Sequence, residues 1–380
     1  MSPYSQPIHD VSDTSGTQGV VRALEPQRVF AVDLEADAMH AFRARLCYLQ
    51  IGTDEDIWLL DTLAPGVSAA TVSALFADPQ RTKVFHAAQG DLQFLAEVGV
   101  RVRGLFDTHR AATLLGWPKV GLADLAAERL GVTLNKAHQQ SDFSIRPLPP
   151  EMHRYIADDV RYLTELGRQV SAAVLAADIV EEVQLDCERL TDEAMARPTI
   201  APFAQKIART LPPADQAFQL AAGTRLHALR LAWAEAADMP MGRMLSNAAI
   251  QELVAKPPKD RRGLSRTQGV RGQVVREHGD EVLALLGNLR AAADKGELPP
   301  PPAPTRDPGR RRREEALKEF RAARATERGV TPSVVLTNPL VEQLAAAPPA
   351  DLEALRRVPY LGDKRVRLYG EALLRLLAEA

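Results

Sequence analysis

An internal repeat with a period of 91 residues constrains the fold of this chain more than any other sequence feature. The run Leu245-Ser246-Asn247 returns without a gap as Leu336-Thr337-Asn338, and Pro257-Pro258 returns as Pro348-Pro349. Ala, Leu, Arg and Glu dominate both copies, which favours helices. The repeat therefore predicts two small helical modules, at residues 218–292 and 314–380. Further pairs at the same spacing are Leu226 and Leu317, Arg230 and Arg321, Leu253 and Leu344, Gly279 and Gly370, and Leu286 and Leu377.

The segments that flank the first module have a different composition. Residues 191–217 are predicted to be a helical connector. Residues 293–313 contain the proline run 299–304 and the basic run 310–313, which together predict a semi-rigid linker between the two copies. A peptide-docking motif is the alternative interpretation of the proline run.

The N-terminal half has a strand-rich pattern. Short apolar runs at residues 28–34, 46–51, 57–60, 83–85 and 105–107 are typical of strands, and helical spacing occurs at 67–76, 91–98, 108–115 and 121–130. A strand meander followed by alternating helices and strands predicts a mixed α/β sheet. We expect this domain to span residues 21–190. Residues 1–20 are rich in Ser, Thr, Gln, Gly and Asp, which predicts a mobile tail.

Composition limits the class of protein. No stretch approaches 18 uninterrupted apolar residues, and Cys47 and Cys187 are the only cysteines. We therefore expect no membrane span, no disulfide framework and no zinc site. We expect a cytoplasmic location. Residues 1–190 carry 17 Lys and Arg against 26 Asp and Glu, whereas the remainder carries 30 against 23. This asymmetry suits a metal site in one half and nucleic-acid contacts in the other, or simply two solvated surfaces.

Four carboxylates and a phenol form the candidate site. Asp33 and Glu35 follow a buried strand, and strand alternation directs both to one face. Asp91 begins a helix after the strand at 83–85. Tyr155 and Asp159 are four residues apart, so they share one face of a helix that begins at Pro149 or Pro150. Clustered carboxylates repel one another unless a cation is bound, and hard oxygen ligands favour Mg²⁺ or Mn²⁺.

These motifs resemble the ribonuclease D branch of the DEDD exonucleases, in the subtype that has tyrosine in its third motif. The first motif is Asp33-Leu34-Glu35, the second centres on Asp91 behind His86-Ala87, and the third is Tyr155-x-x-x-Asp159. The repeats resemble the helicase-and-RNase-D C-terminal (HRDC) domain. Other family-like stretches are Leu46–Ile51, Phe106-Asp107-Thr108, Ser141-Asp142-Phe143, which has Phe143 where tryptophan is usual, and Arg146-Pro147-Leu148.

The resemblance implies a multidomain fold, with a ribonuclease H-like exonuclease domain followed by two all-α HRDC domains. It also implies that Asp33, Glu35, Asp91 and Asp159 hold two divalent ions and that Tyr155 orients the attacking water. The expected substrate is RNA with a free 3′ end, such as a tRNA precursor, cut to nucleoside 5′-monophosphates. We expect the protein to use no small-molecule cofactor and to be a monomer. A DNA 3′ exonuclease for repair and a non-catalytic nucleic-acid-binding scaffold are the alternatives.

Basic and polar residues outside the carboxylate set are candidates for nucleic-acid contact. Each has a structural alternative: a core histidine for His86, ion pairing for Lys136 and Arg146, and solvated helix faces for the basic ends of the modules. Asp107 is expected to cap the helix that follows it. The candidates are His86, Gln89, Lys136, Arg146, Arg261, Arg262, Arg266, Arg356, Arg357, Lys364 and Arg365.

Overall fold

The computed structural model describes residues 4–37, 41–196, 211–300 and 307–380. These residues form two compact units. The first holds the described parts of residues 1–36, 46–197 and 306–380, and the second holds the described parts of residues 37–45 and 198–305. The first unit therefore contains the strand-rich half together with the second repeat, and the second contains the first repeat.

A mixed six-stranded sheet forms the centre of the first unit. Its strands are β1 (Ile8–Val11), β2 (Val29–Ala36), β3 (Leu46–Gly52), β4 (Ile57–Asp61), β5 (Thr82–Phe85) and β6 (Leu105–Asp107). They lie in the order β1-β4-β3-β2-β5-β6. β3 is antiparallel to β2 and β4, whereas the β1–β4, β2–β5 and β5–β6 pairs are parallel. The predicted mixed sheet is confirmed.

Helices flank this sheet, and their buried residues share one core with its strands. A 3₁₀ turn at Ala69–Val72 lies between β4 and β5, and a π-helical turn at Ala126–Leu130 follows the last strand. The helices of this domain are α1 (Thr14–Leu24), α2 (Ser73–Ala77), α3 (Gln89–Glu97), α4 (Thr108–Leu114), α5 (Leu122–Leu125), α6 (Pro150–Arg161), α7 (Leu163–Ala176) and α8 (Val180–Met195).

The predicted mobile tail at residues 1–20 is wrong for its described part. β1 and the start of α1 lie within it. β1 runs parallel to β4, with Ile8 opposite Ile57, and Val11 and Val20 are buried in the core. The local composition is polar because β1 is an edge strand with two exposed residues, His9 and Asp10. Its ordering depends on a partner strand far along the chain, which a local pattern does not reveal.

The two repeats form helical modules with the same internal contacts. The first has α9 (Pro213–Ala236), α10 (Met241–Met244), α11 (Asn247–Ala255), α12 (Arg261–Arg266) and α13 (Gly272–Asp294). The second has α14 (Pro308–Arg328), α15 (Pro332–Val335), α16 (Asn338–Ala346), α17 (Leu352–Arg356) and α18 (Asp363–Glu379). In the first, Arg230 donates to the carbonyl of Leu245 at 2.9 Å; in the second, Arg321 donates to Leu336 at 3.2 Å. The repeated arginine is therefore a structural residue of the module.

The predicted linker needs one correction. Residues 310–313 are helical, because Asp307 caps the N-terminus of α14 and accepts hydrogen bonds from Gly309 and Arg310. Arg310 and Arg311 pair with Glu314 and Glu315 one turn later, which supports the helix. Residues 301–306 of the linker, which include most of the proline run, and residues 197–210 of the connector lie outside the described residues. No helix in the described ranges is both long and apolar enough to cross a membrane.

The second module packs against the sheet domain within the first unit. Val334 of α15 belongs to the core that surrounds the sheet. The Thr331 hydroxyl donates to the carbonyl of Leu114 at 2.9 Å, and the Tyr360 hydroxyl donates to Asp192 at 3.0 Å. Apolar burial and hydrogen bonds together join this module to the sheet domain as one body.

Candidate active site

Strand β2 places two carboxylates at the face of the sheet that α6 covers. Asp33 lies opposite Gln50 of β3, and Glu35 lies opposite Tyr48. Asp33 and Glu35 are two residues apart, so their side chains lie on the same face. Apolar neighbours on β2, including Val32 and Leu34, are buried. The strand is thus held by its core residues while its two acids face the site.

Helix α6 brings Asp159 and Tyr155 to this face. Pro150 is its first residue, as the sequence predicted, and Ile156 and Val160 are buried against the sheet. A Cβ atom on Gly52 would lie 2.9 Å from the carbonyl oxygen of Val160. The absence of a side chain at residue 52 therefore lets α6 approach β3 closely enough to reach the carboxylates of β2.

Three carboxylates converge. Ligand oxygens of Asp33, Glu35 and Asp159 all lie within 4.8 Å of one another. Burial raises the pKa of Asp33 to about 7, and burial together with the charges of Asp33, Asp159 and Asp91 raises the pKa of Glu35 to about 10. Burial also raises the pKa of Asp159. Concentrated negative charge on hard oxygen donors fits a divalent cation of the Mg²⁺ class.

Asp91 lies in the first turn of α3 and is not one of this close group of three. It is nevertheless electrostatically part of the site, because burial and then the charge of Asp33 raise its pKa, and its own charge raises the pKa of Glu35. A second ligand position near Asp91 therefore stays a prediction.

The loop before α3 is held by Asp107. Its carboxylate accepts from the backbone N–H groups of Ala87 and Ala88, both at 3.0 Å, and also caps α4 by accepting from His109. The expected helix cap is confirmed, and the structure adds the second role. Ala87 has a φ of 59°, a left-handed conformation that is costly for a residue with a Cβ. The Asp107 contacts stabilise this turn, which directs Asp91 toward the site.

Tyr155 has the chemistry of a hydrogen-bond donor. Burial, followed by the charges of Asp159 and Glu35, raises its pKa well above the ordinary value, and its hydroxyl donates to Asp159. Its ring stacks against Phe143 at 6.1 Å between centroids, and the His138 ring meets it edge-on at 5.8 Å. Phe143 was expected to be a packing substitution; the structure shows that the residue it packs against is Tyr155.

A cavity of about 380 Å³ opens over these groups. Lys136, a predicted nucleic-acid contact, is an exposed cation in its lining, and His86 is another predicted residue there. Burial and the neighbouring His109 lower the pKa of His86 to about 3, so the ring is neutral. The Thr108 hydroxyl donates its proton to the carbonyl of Phe85. The same hydroxyl therefore accepts from the Nδ1–H group of His86, and Nε2 of His86 carries no proton and is an acceptor. Sequence reasoning missed His109, Gln139, Gly121, Leu122 and Ala123, which also line the cavity.

Arg146 is held by structural contacts. Its guanidinium makes two hydrogen bonds of 2.6 Å to Asp61 and lies 4.3 Å from the centroid of the Tyr48 ring. Ion pairing, the alternative left open by the sequence, is what this structure shows for Arg146. Gln89, in contrast, is exposed at the first residue of α3.

The predicted basic ends of the modules separate into exposed and buried residues. Lys364 and Arg365 are only 8% and 1% exposed. Lys364 pairs with Glu182 at 3.3 Å, and Arg365 donates to the carbonyl of Val334 at 3.0 Å. Their predicted contact with nucleic acid is wrong, because both side chains are buried: Lys364 pairs with Glu182 of α8, and Arg365 donates to a backbone carbonyl of its own module. The exposed residues are Arg261, Arg262, Arg266, Arg356 and Arg357. Of these, Arg261 pairs with Asp280 and Arg357 pairs with Glu353.

The family of this chain is shown by its similarity to known proteins. A family model described as 3′–5′ exonuclease matches residues 8–174, and one described as HRDC domain matches residues 219–286 and 310–377. The exonuclease match implies divalent-metal catalysis, with which the three-carboxylate cluster is consistent.

Ribonuclease D of Gluconacetobacter diazotrophicus is 30% identical over 370 residues, covering 94% of this chain and 92% of that protein. Exosome complex component 10 of Rattus norvegicus is 29% identical, covering 75% of this chain but 33% of that protein. Escherichia coli RNase D shares the fold, with a TM-score of 0.71 at 23% identity and coverage of 98% and 99%. The chain therefore belongs to the ribonuclease D family of 3′–5′ exoribonucleases.

Proposed function

We propose that this protein removes nucleotides one at a time from the free 3′ end of structured RNA, such as tRNA precursors, and releases nucleoside 5′-monophosphates. The convergence of Asp33, Glu35 and Asp159 beside the Tyr155 hydroxyl carries the proposal. The relative of 30% identity is a ribonuclease D, which supports RNA as the substrate.

The residues present fit a divalent metal site. Asp33, Glu35 and Asp159 would hold one Mg²⁺ or Mn²⁺, and Asp91 with Asp33 would hold a second. Bound metal supplies charge neutralisation at the scissile phosphate and lowers the pKa of water. Without a cation, the three close carboxylates repel one another; a bound cation removes this repulsion and is attracted by all three charges. This attraction is the physical reason for placing the carboxylates together.

Tyr155 is proposed to orient the attacking water. A phenol with a raised pKa keeps its proton at neutral pH, so it acts as a donor and is a poor base. In the structure this proton is directed to Asp159. Stacking on Phe143 restricts the ring, so the hydroxyl stays near the carboxylates.

The remaining candidates are proposed to grip the RNA. Lys136 at the cavity offers a cation to a phosphate, and neutral His86 offers the acceptor Nε2 to a hydroxyl or an amino group. The exposed arginines of the modules, Arg262, Arg266 and Arg356 in particular, are proposed to contact backbone phosphates of the RNA body.

The test compares Asp33→Asn with a matched control, Asp158→Asn. Asp158 neighbours Asp159 but pairs with Arg161 at 2.8 Å. Purified proteins are mixed with RNA and DNA oligonucleotides of one sequence, with free or blocked 3′ ends, in Mg²⁺, Mn²⁺ or EDTA. Asp33→Asn is expected to abolish release of mononucleotides but keep RNA affinity, and Asp158→Asn to remain active.

Three results would overturn parts of this proposal. Full activity of Asp33→Asn contradicts the site assignment. Preference for the DNA oligonucleotide favours the repair exonuclease, and absence of metal-dependent hydrolysis by the unmodified protein favours the non-catalytic scaffold.

A further inference from the structure

Gln50 is a buried polar side chain that the fold leaves without a hydrogen bond. It is 0% exposed, and neither Oε1 nor Nε2 has a partner among the described residues. A buried, unsatisfied amide costs about 1–3 kcal/mol relative to a satisfied one. An apolar residue at this position on β3 would avoid that cost, so the amide requires an explanation.

The sheet register places Gln50 beside the carboxylate cluster. Gln50 is the partner of Asp33 in the antiparallel β2–β3 pair. Residues directly opposite each other share one face of the sheet, with Cβ atoms about 4.5–5.5 Å apart, so a glutamine can reach the aspartate. The next residue pair on that face is Glu35 and Tyr48. Gln50 is therefore a fully buried neighbour of Asp33, which itself lines the cavity.

A neutral amide suits this position chemically. It donates hydrogen bonds to a carboxylate oxygen without adding a charge that would compete with a cation. Carboxylates that bind metals are themselves held by hydrogen bonds from an outer group, and loss of that group typically weakens metal binding about 10–100-fold. Among the described residues, Asp33 receives a hydrogen bond from the backbone of Leu34.

We propose that Gln50 is a positioning residue: when the site holds its metal, Nε2, which has no partner among the described residues, donates to the Asp33 carboxylate and orients it. This inference rests on the proposed metal-binding role of Asp33. A residue that only fills space under α6 would affect stability and leave metal affinity unchanged.

The experiment replaces the amide by an apolar side chain of similar shape, Gln50→Met. Binding of Mn²⁺ is measured from the electron paramagnetic resonance signal of the free ion, and unfolding is measured in EDTA. We expect about 10–100-fold weaker Mn²⁺ binding and no loss of metal-free stability, because an unsatisfied amide has been removed. Leu49→Met, on the opposite face of the same strand, is the control and should change neither quantity.

A measurement on the unmodified protein keeps the inference testable if Gln50→Met fails to fold. The side-chain NH₂ resonances of Gln50, assigned through the CH₂ resonances of the same side chain, are expected to shift when Mg²⁺ is added. Unchanged Mn²⁺ affinity in folded Gln50→Met, or unmoved NH₂ resonances, would overturn the inference.

Asp33→Asn separates this inference from the proposed function. Normal Mn²⁺ affinity in Asp33→Asn means that the proposed site itself is wrong. Weak binding by Asp33→Asn together with normal binding by Gln50→Met overturns the role of Gln50 alone.

Discussion

Nζ of Lys364, at the start of α18, lies 3.3 Å from Oε2 of Glu182 in α8, and both side chains are buried. Lys364 also lies 3.1 Å from a carboxylate oxygen of Asp178. The equivalent residue in the first module, 91 positions earlier, is the uncharged Gln273. The ion pair is thus a property of the second copy, and it joins that copy to the exonuclease domain.

Breaking this pair should destabilise the first unit. Lys364→Met leaves the buried Glu182 with Arg328, 3.7 Å away, as its remaining cation. We therefore expect a loss smaller than the cost of a fully unpaired buried charge, which is about 3–5 kcal/mol. Chemical denaturation measures the free energy of unfolding. Arg357→Met is the control, because Arg357 and Glu353 are both largely exposed and the change should stay within about 0.5 kcal/mol. Equal stabilities of the two variants would contradict a structural role for the buried pair.

Tyr155→Phe should slow hydrolysis without disturbing the fold. The ring and its stacking on Phe143 remain, while the hydroxyl that donates to Asp159 is lost. We expect kcat to fall about 10²-fold or more, in the range for a lost proton-handling or orienting group, with KM and thermal stability nearly unchanged. Steady-state kinetics on a short RNA checks this, with Tyr162→Phe, one residue beyond the end of α6, as the control. A fall in both variants would point to a packing effect.

Gly52→Ala should reduce activity through the position of α6. The new Cβ would meet the Val160 carbonyl oxygen at 2.9 Å, so the helix has to shift, at a cost of about 1–3 kcal/mol. Asp159 and Tyr155 would move with it, and kcat should fall although no catalytic group is removed. Gly90→Ala is the control, because no atom lies within 4 Å of its added Cβ. Helical glycine replaced by alanine should be neutral or stabilising by about 0.5–1 kcal/mol.

The metal-free protein should lose stability as pH rises. The folded pKa of Glu35, about 10, lies above the ordinary value of 4.5, so the folded state binds more protons than the unfolded state between these values. The stability contributed by protonated Glu35 is present at low pH and is lost as pH rises toward the folded pKa.

Glu35→Gln should reduce this dependence but not remove it, because the pKa values of Asp33, Asp91 and Asp159 are raised as well. At pH 8 in EDTA we expect the variant to be more stable than the unmodified protein by about 1 kcal/mol or more, since one pKa unit corresponds to about 1.36 kcal/mol. Thermal unfolding from pH 5 to 9 checks this, with exposed Glu55→Gln as the control. Parallel curves for Glu35→Gln and the unmodified protein would contradict the electrostatic cost assigned to the cluster.

Local sequence patterns predicted the strands and helices that carry the site. They did not predict contacts between residues far apart in the chain. Strand alternation and the four-residue helical spacing are local, so Asp33, Glu35, Tyr155 and Asp159 were identified before their convergence was seen. β1 was missed because its pairing with β4 joins residues far apart in the chain. Nothing in the sequence distinguishes Gln50 from the other residues of its apolar strand, because only the β2–β3 register shows that it lies opposite Asp33.

By itself, the sequence determined the mixed sheet and the spacing of the acidic motifs, because strand and helix periodicity is visible within a short window. It also determined the duplicated helical module, because the 91-residue repeat is a property of the sequence alone. Only the tertiary structure decided which cations face solvent. Arg356 is exposed and Lys364 is buried, although both lie at the basic end of the second module. Their environments differ because α8 supplies Glu182 beside Lys364, whereas the described residues leave Arg356 exposed. Burial depends on elements that folding brings together.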